Sequence, residues 1–502
     1  MHRPLNLLTV GQGYRAFVVM AFASLSLFGA LGSRLAYLQL VEGTHNRQLA
    51  ENNRIRLIPN QPERGRILDR KGRILANSRF SYSVFIWPIA KTKAQWPRTL
   101  QLLSEILKTP EAEIQKRLEQ AGYTSPLLVR IARNIPLDQV VALAERSSEL
   151  VGVEVDEEAI RNYPHGELAA HVLGYIGEMT DAELAQKQAE GYRLGDVMGQ
   201  LGIEATYEKQ LRGAWGGKQV EVDGAGRVLR VLGDKPAQPG QDVKITLDLD
   251  LQKAAEAALG NRKGAIVAMD PSNGDILAMA SRPAFNPNWF ASGITKSQWQ
   301  TLQRREFPFV NRALQGFPPA STFKIITTTA GLESGKFSPK TVLQTYGAIS
   351  AGGFTFHDWN LAGFGPLDFT GALKWSSDTF FYQVGMRTGQ KPIIEWSKRY
   401  GFGQKTGIDI PGEADGLVPD EAWKQEVLKD DWYIGDTIIL SIGQGGLQAS
   451  PLQVAVMFAV PANGGYKVSP HLLKNHEAAR DRESLNLKPT TLSVLRAGLR
   501  AV

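Results

Sequence analysis

The chain contains no cysteine. That excludes disulfides, thiolate zinc sites, a cysteine nucleophile and a lipidated cysteine at the membrane, and it leaves the redox compartment open. Histidine is sparse, with 7 in 502 residues and no His-x-x-x-His pair, so no metal site and no cofactor is expected. Charge is also thin: 57 Lys and Arg against 50 Asp and Glu give a net +7 without any dense basic run or basic-aromatic alternation. A nucleic-acid partner is therefore not expected. No internal repeat or low-complexity segment is evident.

A 43 % hydrophobic and 21 % charged composition is that of a folded protein, and 502 residues suit two or three domains. "AFVVMAFASLSLFGALGS", Ala16 to Ser33, is 18 residues without a charge. As a helix it would rise roughly 27 Å, about the hydrocarbon thickness of a bilayer. Arg34 and Tyr37 follow at the position where an interface would lie. We read residues 1–15 as a cytoplasmic tail and 16–40 as a single transmembrane anchor. A signal peptide would have a shorter apolar core and a small-residue cleavage site. Arg3 and Arg15 precede the apolar run and Arg34 and Arg47 follow it, so charge does not fix the orientation.

Residues 45 to 235 read as an extended α+β module. "GRILD" and "GRILA" flank a turn at "RKG", "SYSVFIW" is a further strand, and three helical periods lie between Pro97 and Leu150, the middle one closed by Gly122. "GQLGIEATYEKQLRGAWGG" is read as loop-rich. "KPAQPGQD" reads as a linker. Beyond it, residues 240–502 form a second α+β unit with helices packed on an antiparallel sheet. Its opening is a strand, a helix capped by Asp248, and the hairpin signal "GAIVAMDPSNGDILAMAS".

The chemistry lies in "GFPPASTFKIITTTAGLESG". Two prolines and Gly335 bound a helix, with Ser321 in or beside its first turn and Lys324 one turn on, on the same face. A serine hydroxyl needs an adjacent base, a lysine serves as one when burial lowers its pKa, and a helix N-terminus offers N–H groups to an oxyanion. The spacing equally fits a capping serine and a surface lysine. Ser376-Ser377-Asp378, 55 residues past Ser321, adds a second hydroxyl and a carboxylate. Together they follow the order of the penicilloyl-serine transferases: Ser-x-x-Lys, Ser-x-Asn or Ser-x-Asp, then Lys-Thr-Gly or Lys-Ser-Gly.

With those motifs placed, the chain resembles the class B penicillin-binding proteins, and within them the elongation type. Matching stretches run from "RGRILDRKGRILA" through "RNYPHGELAAHVLGYIG", "GIEATYEKQLRG" and "NRALQGFPPASTFK" to "SSDTFFY", "DWYIGDTIILSIGQGGLQASPLQ" and "ANGG". Asp378 in place of Asn and the "DWYIGDT" run favour the elongation type over the septal one. The resemblance implies a membrane-anchored pedestal (dimerisation-type) domain and a C-terminal, β-lactamase-like D,D-transpeptidase domain on the extracytoplasmic side. It implies Ser321 as acylated nucleophile, Lys324 as proton acceptor, Ser376 as proton relay to the leaving D-alanine, and Asp378 as positioner of Lys324 or the donor peptide. Peptidoglycan stem peptides are the implied substrates and β-lactams the covalent inhibitors. The implied partner is a polytopic SEDS-family glycosyltransferase, RodA-like, in the membrane.

Three departures carry expectations. The residue before the nucleophile is Ala320 where the family has glycine; being small, it is expected to be tolerated. Lys405-Thr406-Gly407 spells the third motif, but it stands among glycines ahead of a Pro-Gly turn, and it is read as a decoy. The true triplet is then expected beyond Val502, with the second domain incomplete and the activity of the 502-residue form reduced. His357, in "FTFHDWN", is expected to be structural, although it falls close to the cleft. A non-catalytic scaffold that activates the glycosyltransferase, and a β-lactam hydrolase or sensor, stand as alternatives.

Overall fold

The computed structural model describes residues 7–43, 55–121, 128–192, 196–222, 228–474 and 482–502. Gly122 and the opening of the 45–235 module, up to residue 54, lie outside them. The N-terminal helix, Leu7–Ala36, starts earlier than the apolar run alone predicts and ends in a π-helical turn, Tyr37–Val41. Phe17–Val41 spans 25 residues, long and apolar enough to cross a membrane, and none of it is covered by the rest of the protein. The Arg34 guanidinium lies 5.4 Å from the centre of the Tyr37 ring, which pairs the two residues expected at the interface.

The module that follows is organised by one long strand, Ile74–Ile86. The "ILA" of "GRILA" and the "SYSVFI" of "SYSVFIW" belong to this single strand, because the residues between them include neither Gly nor Pro to break it. It pairs antiparallel with Ile67–Leu68, with Val129–Ile135 and along its whole second half with Val153–Asn162. The helices Trp96–Leu107, Glu111–Ala121 and Leu137–Glu145 follow the predicted periods, and Leu100, Leu103, Ile114 and Leu143 bury against Val84, Ile86 and Ile131 of the sheet. A three-stranded sheet places Gly216–Val222 between Ile55–Asn60 and Val228–Lys235.

The segment read as loop-rich is more ordered than that. "GIEATYEKQLR" folds into two short helices, Gly202–Thr206 and Glu208–Arg212, which carry a buried ion cluster. Glu204 accepts from Arg64 at 2.7 Å, Arg161 at 2.6 Å and the Tyr163 hydroxyl at 3.1 Å. Glu208 accepts from Arg64 at 2.6 Å and from Tyr192 at 2.9 Å. The glycines disguised these helices; they are needed where backbones touch. A Cβ on Gly199 would fall 1.9 Å from the Glu204 carbonyl oxygen.

The linker is likewise a docked strap. Gly240 N donates to Glu63 O and Gln241 N to Gln210 O, both at 2.8 Å. A Cβ on Gly240 would stand 1.9 Å from Leu211 O. Immediately after it, Val243–Lys244 pairs parallel with Ile67–Leu68, so one sheet crosses the sequence boundary between the two units. Their apolar cores merge too: Ile67, Leu75 and Ile203 cluster with Leu247, Ile408, Leu452 and Leu472. Tyr207 donates to Asp409 at 2.7 Å, and the same carboxylate accepts from the Leu472 and Leu473 amides.

In the second unit, Asp248 caps the helix Leu249–Leu259 through Asp250 N, and Gly264–Met269 pairs antiparallel with Ile276–Arg282, as the turn signal predicts. Around the helix Lys324–Glu333 pack Asp378–Thr388, Gln390–Arg399 and Pro489–Ala501. Phe323, Ile326, Phe380, Phe381, Val384 and Leu495 form the centre of this helical core. The protein is α+β, with one apolar N-terminal helix ahead of the two units.

Candidate active site

The predicted helix after the two prolines begins as a 3-10 turn, Ala320–Phe323, and becomes α-helical from Lys324. Ser321 lies exposed in that opening turn, where amide N–H groups have no intrahelical acceptor. Ala320 adopts the left-handed region at φ +49° and donates its N–H to Gly443 O at 2.9 Å. Gly443, at φ +77°, approaches so closely that a Cβ there would lie 2.2 Å from Ala320 O. The turn that carries Ser321 thus rests on the "SIGQGG" loop, a support that its sequence spacing does not reveal.

Lys324 is 1 % exposed although its side chain is charged in water at neutral pH. Its Nζ donates to Ser376 O at 2.7 Å, Ser376 Oγ at 3.0 Å and Asp378 Oδ1 at 2.6 Å. Three donors meet three acceptors, so the ammonium is fully satisfied. Burial pushes the Lys324 pKa below its ordinary value, while the Asp378 carboxylate, and Asp358 more weakly, pull it back up. Among the described residues Ser321 Oγ has no hydrogen-bond partner, Lys324 included; the two share a helix face one turn apart.

Ser376 ends the helix Phe369–Trp375 in the left-handed region, φ 52° and ψ 39°. That conformation, costly for a residue with a Cβ, turns both its carbonyl and its hydroxyl onto Lys324. Ser377 caps the next helix through Phe380 N, which sets Asp378 in its first turn facing the lysine. Ser377 Oγ, Thr379 N and Thr379 Oγ1 all converge on Oδ2 of buried Asp358. No local spacing marks Asp358, because its partners Ser377 and Thr379 lie 19 and 21 residues further along the chain. The His357 side chain is exposed, and its carbonyl accepts from Tyr382 OH at 3.2 Å.

The structure brings together Lys324, Ser376 and Asp378, with Ser321 alongside. Lys405-Thr406-Gly407 joins none of them. It lies in an irregular loop closed by Glu413, whose carboxylate accepts from Thr406 N at 2.8 Å, Thr406 Oγ1 at 2.6 Å and Gly407 N at 3.1 Å. The isoleucines that follow, Ile408 and Ile410, bury in the core shared with the first unit, not in the helical core around Lys324. Among the described residues no group of three or more His, Asp or Glu side chains is placed to hold a metal ion.

Two family models match in succession: the penicillin-binding protein dimerisation domain over residues 59–245 and the penicillin-binding protein transpeptidase domain over residues 264–502. A curated relative, peptidoglycan D,D-transpeptidase MrdA of Acinetobacter baumannii, is 37 % identical over 458 residues, covering 90 % of this chain and 67 % of its own. The chain belongs to the class B penicillin-binding proteins. Among solved structures of this family, a complex of penicillin-binding protein PBP2 with MreC from Helicobacter pylori is similar at a TM-score of 0.78 and 29 % identity, covering 89 % of this chain and 84 % of that one. A peptidoglycan synthase complex that coordinates polymerization and crosslinking contains a chain similar at a TM-score of 0.69 and 32 % identity, covering 97 % of this penicillin-binding protein and 84 % of the other.

Proposed function

We propose that this chain is a peptidoglycan D,D-transpeptidase of cell-wall elongation that works through an acyl-enzyme on Ser321, with residues 45–235 as pedestal and 240–502 as transpeptidase domain. The single observation that carries the reading is the buried Lys324 amine, held by Ser376 and Asp378 one turn from an exposed serine. Burial makes the neutral amine accessible, and a neutral Lys324 takes the Ser321 proton as Oγ attacks the penultimate D-alanine carbonyl. The tetrahedral intermediate collapses by breaking the C–N bond, and the proton on Lys324 passes through Ser376 Oγ to the departing D-alanine amine. An amine from a neighbouring strand then attacks the ester, and Ser321 recovers its proton. Asp378 keeps Nζ aimed at this relay. β-Lactams acylate the same oxygen.

Peptidoglycan lies outside the cytoplasmic membrane, so the apolar helix is a single-pass anchor with the bulk of the chain on the extracytoplasmic, periplasmic side. The anchor and pedestal contact a SEDS-family glycosyltransferase, a pairing that similarity to a chain of a peptidoglycan synthase complex supports. Fluorescent penicillin tests the central claim. The full chain takes up one covalent label, and Ser321→Ala abolishes it without loss of thermal stability, because the exposed hydroxyl bonds nothing else among the described residues. No label on the folded wild-type chain overturns the acyl-enzyme and leaves the scaffold reading.

A further inference from the structure

Asp358 is 3 % exposed and touches none of the atoms assigned to chemistry. Yet Oδ2 receives Ser377 Oγ at 2.8 Å, Thr379 N at 2.8 Å and Thr379 Oγ1 at 2.9 Å. Oδ1 accepts from Asn360 N at 3.3 Å, and its own amide donates to Gly347 O at 2.9 Å. The carboxylate therefore sits at the N-terminus of the helix Asp378–Thr388, favoured by the helix dipole, and grips the residues on either side of Asp378. Resting on the Ser321 reading above, we propose that Asp358 is a positioning residue: it locks the Ser376-Ser377-Asp378 turn so that Ser376 Oγ and Asp378 Oδ1 stay on Lys324.

Two features make the lock specific. Ser376 is held in the left-handed region, and such a conformation persists only where the surroundings over-determine it. The chain just beyond it is fixed twice, by Ser377 Oγ and by Thr379 N. Asparagine cannot replace the carboxylate, since either orientation of its amide turns an NH2 group toward a backbone N–H, that of Thr379 or that of Asn360. The ionisable groups around this centre are Lys324, Asp378 and Tyr382, and Tyr382 feels both carboxylates.

The test compares Asp358→Asn and Ser377→Ala with the wild-type chain, reading the second-order rate of acylation by fluorescent penicillin against pH, alongside thermal stability. A turn displaced by about 1 Å costs on the order of 10²-fold in rate. We expect Asp358→Asn to lower the plateau by about that factor and to move the acid limb to lower pH, because the lost negative charge no longer favours the lysine cation. Ser377→Ala keeps the charge, so its plateau falls and its limb stays. A merely structural role would lower stability and labelled fraction while leaving the acylation rate of the folded molecules unchanged; the limb of Asp358→Asn follows its charge in either case. If Asp358→Asn does not fold, Ser377→Ala decides. Folded variants acylated within about twofold of wild type at the plateau overturn the proposal, wherever the limb of Asp358→Asn lies. A wild-type chain without a Ser321-dependent label overturns the underlying reading instead.

Discussion

Asp378→Asn separates the two duties of the carboxylate, holding Lys324 in place and setting its charge. The pair stands 2.6 Å apart, with side chains 2 % and 17 % exposed. At an effective dielectric of about 20, two unit charges at that distance attract by roughly 6 kcal/mol. Solvent at the edge of Asp378 and the cost of keeping both ions from water leave about half of this, ~3 kcal/mol. Asparagine fills the same space and can still accept from Nζ through its carbonyl oxygen, but it returns none of the charge. The Lys324 pKa is already lowered by burial, and Asp378 opposes that lowering. Removing the carboxylate lowers it further. At a pH above both the folded and the unfolded pKa the lysine is neutral in both states and the substitution costs nothing through charge. As pH falls below the unfolded value, the unfolded chain binds a proton that the folded chain resists, and stability drops by up to ~3 kcal/mol at neutral pH. Acylation shows the opposite trend: the neutral base persists to lower pH, so the acid limb of the fluorescent-penicillin rate shifts acid. Thermal unfolding measured at neutral and alkaline pH, together with the pH–rate profile, checks both halves. An acid limb that stays in place or moves to higher pH refutes the assignment of Lys324 as the base.

Ala320→Gly removes a Cβ from the left-handed region, where it costs about 1 kcal/mol, and adds unfolded-state entropy of similar size. Melting temperature should therefore stay within a few degrees and labelling within about twofold. Gly443→Ala drives a Cβ against Ala320 O and should cut the acylation rate by on the order of 10²-fold by displacing the turn that carries Ser321, read in the same labelling assay. Glu204→Gln leaves Arg161 without its buried counter-charge and Arg64 with Glu208 alone, and a loss of about 3–5 kcal/mol in denaturant unfolding is expected, sited in the first unit.

What the residues revealed depended on how local the cause was. Ser321 and Lys324 were legible because three residues along a helix bring side chains to one face, and the prolines and Gly335 marked that helix. The hairpin at "DPSNGD" and the Asp248 cap were legible for the same reason. Glu204 and Glu208 were not: their partners Arg64 and Arg161 come from strands and loops far away in sequence, and the glycines that permit such close packing look locally like loop. The linker misled in the same way, since Gly240 reads as flexibility until Leu211 O is found against it.

The Ser376–Asp378 turn shows why a motif understates its site. Serine and aspartate at that spacing are consistent with a cap, and one of the three does cap: Ser377 bonds Phe380 N. What turns the cap into a wall around Lys324 is the left-handed Ser376, and nothing in its own identity demands φ 52°. The demand comes from Lys324, which offers Nζ to both its carbonyl and its hydroxyl, and from Asp358, which pins the residues that follow. Charge and geometry there are set together. A lysine buried among only apolar side chains would lose its proton but have no fixed direction. A lysine fully paired by a carboxylate in water would have direction but keep its proton. Lys324 sits between those limits, its pKa lowered by burial and its Nζ held by three oxygens, so on the proposed reading the site's reactivity would depend on the residues that hold Ser376 in place as much as on Ser321 itself.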